Sequence, residues 1–437
     1  MRRISSDTTV CSPQKRAAEA VSPEALAILG GPKVRTSPFH AWPVFGPEDE
    51  RRLVHALRTG KWGKLHGEEV AEFEHRFAAM HGCRHAIGVV NGTVSLRLAL
   101  MAAGIQAGDE VIVPPYTFLA TATAVLEANA VPVFADINLQ TFNIDPAAIE
   151  AAVTPKTRAI IPVHMGGQIA DMDAIMDIAR KHNLIVIEDA AHAHGAARGG
   201  RPAGSVGHFG SFSFQSSKNL TCGEGGLITT SDDKFAAACR SIHNCGRIEG
   251  GVWYEHHVMS GNYRLGEFQG AILNSQLDRL AEQTRTRDRN GQYLADRLRS
   301  IPGICPQERP GDCMLHSYHL FLFRVDAAEF GAPREATLRA LAAEGIPVCA
   351  GYALPLYRQP LFLRKAFGPY LPGLSGGLDY AKTRCPNCEK ICFAQGAWLE
   401  QSLFLGTQAD MDDIARAFEK VYRHRADLAA LKPEKAA

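Results

Sequence analysis

The feature that most restricts the fold of this chain is a rhythm. Seven short, largely apolar runs recur at residues 86–90, 110–113, 131–134, 159–163, 184–188, 211–214 and 226–229, and stretches of helical periodicity separate them. Near-continuous apolar runs are the mark of strands covered on both faces, and their alternation with helices predicts an α/β fold built on a mainly parallel, doubly covered sheet. Helices are expected over 93–103, 121–129 and 170–182, the first following Asn91-Gly92-Thr93. In such a sheet, functional groups gather beyond the carboxyl ends of the strands. After about Ala271 the pattern changes to a long helix through 299, a strand-like run at 319–325 and a helix over 334–344, which reads as a smaller C-terminal α+β domain. The expected division is a loosely attached, disordered arm over 1–24, a large ligand-binding domain over 25–270, and the connecting helix with the small domain over 271–437.

Size and charge narrow the classes of function. The 437 residues carry 46% hydrophobic content, enough for one large core and a second, smaller one. Lys and Arg number 47 against 46 Asp and Glu, so no global field draws the chain to nucleic acid or to an anionic membrane, and a small-molecule partner is expected. No apolar run approaches the roughly 18 to 20 residues that span a bilayer, and a cytoplasmic location is expected. The 11 cysteines are odd in number and scattered, which suits reduced thiols. Cys385, Cys388 and Cys392 resemble half of a zinc site, but nothing nearby completes four ligands, so no metal is expected.

Three short segments carry chemistry. Lys218 lies in a loop of small residues between two strand-like runs, Gly210-Ser-Phe-Ser-Phe-Gln-Ser-Ser-Lys218 and Gly223-Glu-Gly-Gly226. It reads either as an ordinary surface lysine or as an enclosed amine of lowered pKa that attacks a carbonyl. Asp189 ends the buried run 184–188 and leads into Ala190-Ala-His192-Ala-His194. It is either a helix cap or a partner for a protonated ring nitrogen. Asn91-Gly92-Thr93 opens a helix whose free amides form a ready phosphate site. Neither a G-x-G-x-x-G after an early strand nor a G-x-x-x-x-G-K-[ST] occurs, which disfavours dinucleotides and nucleoside triphosphates.

The order of these segments resembles the DegT/StrS family of pyridoxal-phosphate sugar aminotransferases, a branch of the type I aminotransferase fold. The likeness spans about 26–406 and runs through Asn91-Gly-Thr, Pro114-Pro-Tyr-Thr-Phe118, Pro162-Val-His-Met-Gly-Gly167, Glu188-Asp-Ala-Ala-His-Ala-His-Gly195, Phe212-Ser-Phe-Gln-Ser-Ser-Lys218, Gly223-Glu-Gly-Gly226 and Gly261-Asn-Tyr-Arg264. The resemblance implies that Lys218 binds pyridoxal 5′-phosphate as a Schiff base and shuttles a proton, that Asp189 pairs with the pyridinium nitrogen, and that Phe118 stacks on the ring. Gly92, Thr93 and Ser213 would hold the phosphate. Asn262 matches a residue that reaches the neighbouring subunit's phosphate, which implies a homodimer with shared sites. His192 stands where much of the family has Gln or Glu, and is expected to bond the cofactor's phenolic oxygen.

Within the family the segments around His192, Phe212-Ser-Phe-Gln, His243-Asn-Cys-Gly-Arg247 and Cys385-Pro most resemble aminotransferases of scyllo-inosose, a keto-cyclitol. The implied reaction takes an amino group from glutamine or glutamate to a keto-cyclitol or keto-sugar. Two alternatives stand beside it: a nucleotide-sugar aminotransferase, with Arg247, Arg264 or the Lys61-Trp-Gly-Lys64 segment meeting a diphosphate, or a regulatory protein that keeps the fold without catalysis. For any one of those cations the simpler reading is a solvated surface charge. His164, His194, His243, His316 and His319 are expected to be structural.

Overall fold

A computed structural model describes residues 24–369 and 379–430. Residues 1–23 of the expected arm lie outside the described residues. The central sheet has seven strands: β1 (His85–Val89), β2 (Glu110–Val113), β3 (Val131–Phe134), β4 (Thr157–Ile160), β5 (Ile185–Asp189), β6 (Phe209–Ser213) and β7 (Gly226–Thr230). Their order across the sheet is β1-β7-β6-β5-β4-β2-β3. Only β7 runs against the rest, pairing antiparallel with both β1 and β6, so the sheet is mainly parallel as the sequence rhythm predicts.

Alternate side chains of each strand feed opposite cores. Val111, Val113 and Ile187 enter one apolar cluster, whereas Ile112 and Val186 enter another. Helices Gly92–Ala102 and Ala120–Glu127 contribute to the first, and Glu69–His81 and Met172–His182 to the second, which leaves the strand ends as the natural place for polar chemistry.

The 33-residue helix Glu267–Arg299 packs at one end against Pro47–Thr59 and Glu69–His81 and at the other against Gln408–Arg423. A second, antiparallel sheet of Ile304–Pro306, Leu320–Val325 and Gly396–Glu400 builds a third core with Leu294, Leu298, Phe418 and Val421. The chain crosses between these cores. Leu26, near the start, is sealed into the third, while Leu356, Tyr357, Phe362 and Tyr380 pack into the first. Cys385, Cys388 and Cys392 are buried in that first core too, with the Cys388 and Cys392 sulfurs 3.9 Å apart. Among the described residues no group of three or more His, Cys, Asp or Glu side chains is arranged to hold a metal, and no helix is long and apolar enough to cross a membrane.

Candidate active site

The site forms where β5 ends. Glu188 and Asp189 are consecutive, so the strand sends their side chains to opposite faces. Asp189 is buried and accepts one good hydrogen bond, from Thr121 Oγ1 at 2.8 Å, and a longer one from the Ala191 amide at 3.3 Å. Burial raises its pKa, and the Thr121 bond and the charge of Lys218 only partly offset this. Thr121 is itself braced by Thr117, oxygen to oxygen at 3.1 Å.

Lys218 sits in the loop joining β6 to β7. Burial pulls its amine down to about 8, against the opposing pull of the Asp189 charge. The loop is gripped on each side of the lysine. The Asn219 side-chain nitrogen donates to the Ser317 carbonyl at 2.7 Å, and the Asn219 oxygen lies 3.1 Å from His319 Nδ1. Because the Asn219 nitrogen is already committed, His319 carries its proton on Nδ1. On the other side Trp42 Nε1 donates to the Ser216 carbonyl at 2.9 Å.

His192 is buried with its ring 4.3 Å from that of His319 at 40°, and among the described residues its Nδ1 has no hydrogen-bond partner. Burial and the nearby Lys218 charge hold the imidazole well below its ordinary pKa, so the ring is neutral. Its carbonyl accepts from Ser317 Oγ at 2.8 Å. Gly167, at φ +101°, fits into the same corner: a Cβ there would lie 2.1 Å from Ser317 Oγ and 2.8 Å from the His192 carbonyl oxygen.

A second cluster adjoins the first. Asn91 Oδ1 accepts from the Val94 amide at 2.9 Å and so caps the helix that begins at Gly92. Gly92, Thr93 and Ser213 are half-buried beside one another, and a Cβ on Gly92 would meet Ser213 Cβ at 2.6 Å. Ser95 of this helix hydrogen-bonds Ser211, which pairs across the sheet with Asp189. The helix N-terminus and the carboxylate are therefore fixed on one frame.

The structure thus brings Asp189, His192 and Lys218 together and sets Gly92, Thr93 and Ser213 beside them. Phe118 is 62% exposed and Asn262 is exposed, on open surface of the single chain. Of the histidines expected to be structural, His164 is enclosed: its Nδ1 accepts from the Ala170 amide and its Nε2 donates to Glu188 at 2.8 Å. His316 likewise accepts at Nδ1 from the Tyr318 amide and reaches Gln307 Oε1 from Nε2 at 3.1 Å. His243 Nδ1 donates to the Arg240 carbonyl, and His194 packs against Phe212 and Phe214. His319 differs, since it faces His192 and grips the residue after Lys218. Lys64 pairs with Glu74, Arg264 donates to Asn244 Oδ1 at 2.8 Å, and Arg247 lies 5.1 Å from the Trp253 ring.

Sequence reasoning missed Thr121, Asn219 and His319. Only Asn219, adjacent to the lysine, carried a positional hint. Thr121 sits in Ala-Thr-Ala-Thr, which reads as helix filler, and His319 opens a run that reads as a plain core strand.

A lysine amine of lowered pKa, near enough to feel the charge of a buried carboxylate, is an arrangement suited to group-transfer chemistry. Residues 45–392 match the DegT/DnrJ/EryC1/StrS aminotransferase family, and the chain belongs to it. An L-glutamine:2-deoxy-scyllo-inosose aminotransferase from Streptoalloteichus tenebrarius is 37% identical over 431 residues, covering 93% of this chain and 100% of that one. A crystal structure of 3-amino-5-hydroxybenzoic acid synthase superposes with a TM-score of 0.80 at 35% identity, covering 89% of this chain and 100% of that one. NtdA of Bacillus subtilis, solved with bound cofactor PMP, gives a TM-score of 0.75 at 27% identity over 89% of this chain and 85% of that one. The chain is an aminotransferase of the type I fold.

Proposed function

We propose that this aminotransferase uses pyridoxal 5′-phosphate and moves an amino group from L-glutamine or glutamate to a keto-cyclitol or related keto-sugar. The observation that carries the reading is that Lys218, an amine held at about 8, lies near enough to feel the charge of Asp189, a buried carboxylate short of donors. The cofactor supplies an aldehyde that condenses with amines and a ring that accepts the electron pair left by a departing proton. Lys218 is the amine that would anchor it and, when free, the base that would move the proton at substrate Cα. Asp189, aimed by Thr121, would hold the ring nitrogen in its protonated form, and that charge would satisfy an acid which burial otherwise pushes toward neutrality. The unpartnered Nδ1 of buried His192 suits the ring's phenolic oxygen. Gly92, Thr93 and Ser213 offer the phosphate a helix N-terminus, a hydroxyl pair and a surface with no room for a methyl.

The exposed Phe118 and Asn262 fit a homodimer in which a second copy covers this face, with Phe118 on the ring and Asn262 reaching the second copy's phosphate. The ten described cysteines are all free, which supports the cytoplasm as the compartment. The third core, around the small sheet, supports a smaller domain beside the cofactor-binding one, although Leu26 joins that third core and Leu356, Tyr357, Phe362, Tyr380 and Cys392 return to the first, so the two domains interleave rather than divide cleanly at 270.

A keto-cyclitol acceptor rests on the inosose-acting relative; the synthase similarity makes acceptor choice the point to test. L-Glutamine should bleach the visible band of the cofactor-loaded protein, and 2-deoxy-scyllo-inosose should restore it. Recovery with a nucleotide-linked keto-sugar and none with the cyclitol would overturn the acceptor while leaving amino transfer intact. Activity and cofactor retention should fall together on dilution; a fully active monomer by light scattering would refute the shared site.

A further inference from the structure

The long helix Glu267–Arg299 carries Arg287 into the interior with no solvent exposure. Burial alone pulls the guanidinium down to about 9, because among the described residues no carboxylate lies near enough to support its charge and Nη1 has no hydrogen-bond partner. A buried cation without a counter-ion is a costly feature for a fold to keep. What it touches explains its place.

Nε and Nη2 of Arg287 both donate to the single oxygen Oε1 of Gln401, at 3.0 and 2.6 Å, and the guanidinium lies 5.1 Å from the centre of the Trp42 ring. With its oxygen held in this way, Gln401 turns its amide nitrogen toward the Ser217 carbonyl, a long contact of 3.5 Å. Trp42 donates its indole N–H to the Ser216 carbonyl at 2.9 Å. Ser216 and Ser217 are the two residues before Lys218. Both groups that grip this side of the loop therefore rest on one cation. A carboxylate in place of Gln401 would satisfy Arg287 better but would have no N–H for the loop, so the missing counter-ion is what leaves an amide free to face both ways.

We propose that Arg287 is a positioning residue for Lys218: it fixes Gln401 and Trp42, whose N–H groups hold the backbone of the lysine loop and so set where the amine lies. The inference rests on the reading of Lys218 as the cofactor-binding lysine. Its consequence is that loosening these contacts misplaces the amine, while the fold around Arg287 stays closed.

The test uses the full chain with three substitutions. Gln401→Glu gives Arg287 a carboxylate yet removes the donor to Ser217, and Trp42→Phe keeps a ring over the guanidinium yet removes the donor to Ser216. Both should melt within a few degrees of wild type. In both, kcat should fall on the order of tenfold or more, as small misplacements of a reacting group do, with KM changed less than about threefold. The pH profile of pyridoxal-phosphate capture by the apoprotein, followed at the visible band, should climb from its wild-type midpoint near 8 toward that of an ordinary lysine. Arg287→Lys keeps the charge but not the fork, and should repeat the loss; the other two variants keep the test decisive if it does not fold. Wild-type kcat and an unmoved capture profile in both Gln401→Glu and Trp42→Phe would overturn the inference alone. A wild-type protein that captures no cofactor would overturn the Lys218 reading and this inference with it.

Discussion

Glu188 and Asp189 are neighbours on one strand and both are buried, yet they are opposite kinds of acid. Glu188 accepts from the amides of Gly204, Val206 and Gly207 at 2.8, 2.7 and 2.6 Å and from His164 at 2.8 Å. Although burial works against its ionisation, these donors hold its pKa below the ordinary value. Asp189 has a threonine hydroxyl and one long amide bond, and its pKa is raised. A carboxylate whose acceptor sites are filled is a structural joint; one left short has room for a further donor.

The sharpest test of this contrast starts at the lysine. Lys218→Ala should abolish the visible band and turnover, a loss of several orders of magnitude, because no other amine stands at that place. Full turnover in the variant would remove the lysine from the chemistry. The two acids should then part company. Asp189→Asn should retain some cofactor but slow the glutamine half-reaction by about two orders of magnitude or more, since a neutral partner no longer keeps the ring nitrogen protonated. The same variant, as apoprotein at neutral pH, should melt at or above wild type, because ionised Asp189 is disfavoured by its burial. Glu188→Gln should do the reverse: a stability loss of about 2 kcal/mol in denaturant titration, with the half-reaction rate of the folded fraction nearly unchanged. Equal kinetic damage from both substitutions would break the comparison.

Lys218 adds a pH signature. Its folded pKa, about 8, lies below the ordinary 10.5, so between those values the unfolded chain holds a proton that the folded chain has released. Stability of the apoprotein should therefore gain an increment as pH rises from about 8 to 10.5, and Lys218→Met should remove that increment. Superimposable pH–stability curves for the two proteins would show the amine to be unperturbed. The smallest effect is expected at Thr121→Val, which leaves Asp189 without its best donor. A loss in kcat of roughly tenfold corresponds to one hydrogen bond to a charged group, and stopped-flow half-reactions would resolve it.

Most of the scaffold was legible in the sequence because strand rhythm is a local signal. The runs at 110–113 and 131–134 are strands over those same residues, and the ends of the others shift by up to three positions. Lys218, Asp189 and His192 could be singled out because each stands at or just beyond a strand end in a recognisable segment. Arg287 was not: Thr-Arg-Thr-Arg-Asp-Arg-Asn reads as a solvated face, and nothing local reveals that the middle arginine points inward. His319 and Thr121 were hidden for the same reason, since their roles come from partners about 100 and 68 positions away in the chain. Leu26 belongs to a core built 270 residues later, which only tertiary packing could disclose.

The corner at Gly167 has a consequence for how this sequence can drift. Its backbone lies in the left-handed region, and even one carbon there would overlap Ser317 and the carbonyl of His192. In a library carrying all twenty residues at this position, selection for activity should return glycine alone, while Gly60, with a similar sign of φ but open space around it, should accept asparagine as well. Position 167 is thus a spot where the chain has no mutational neighbours.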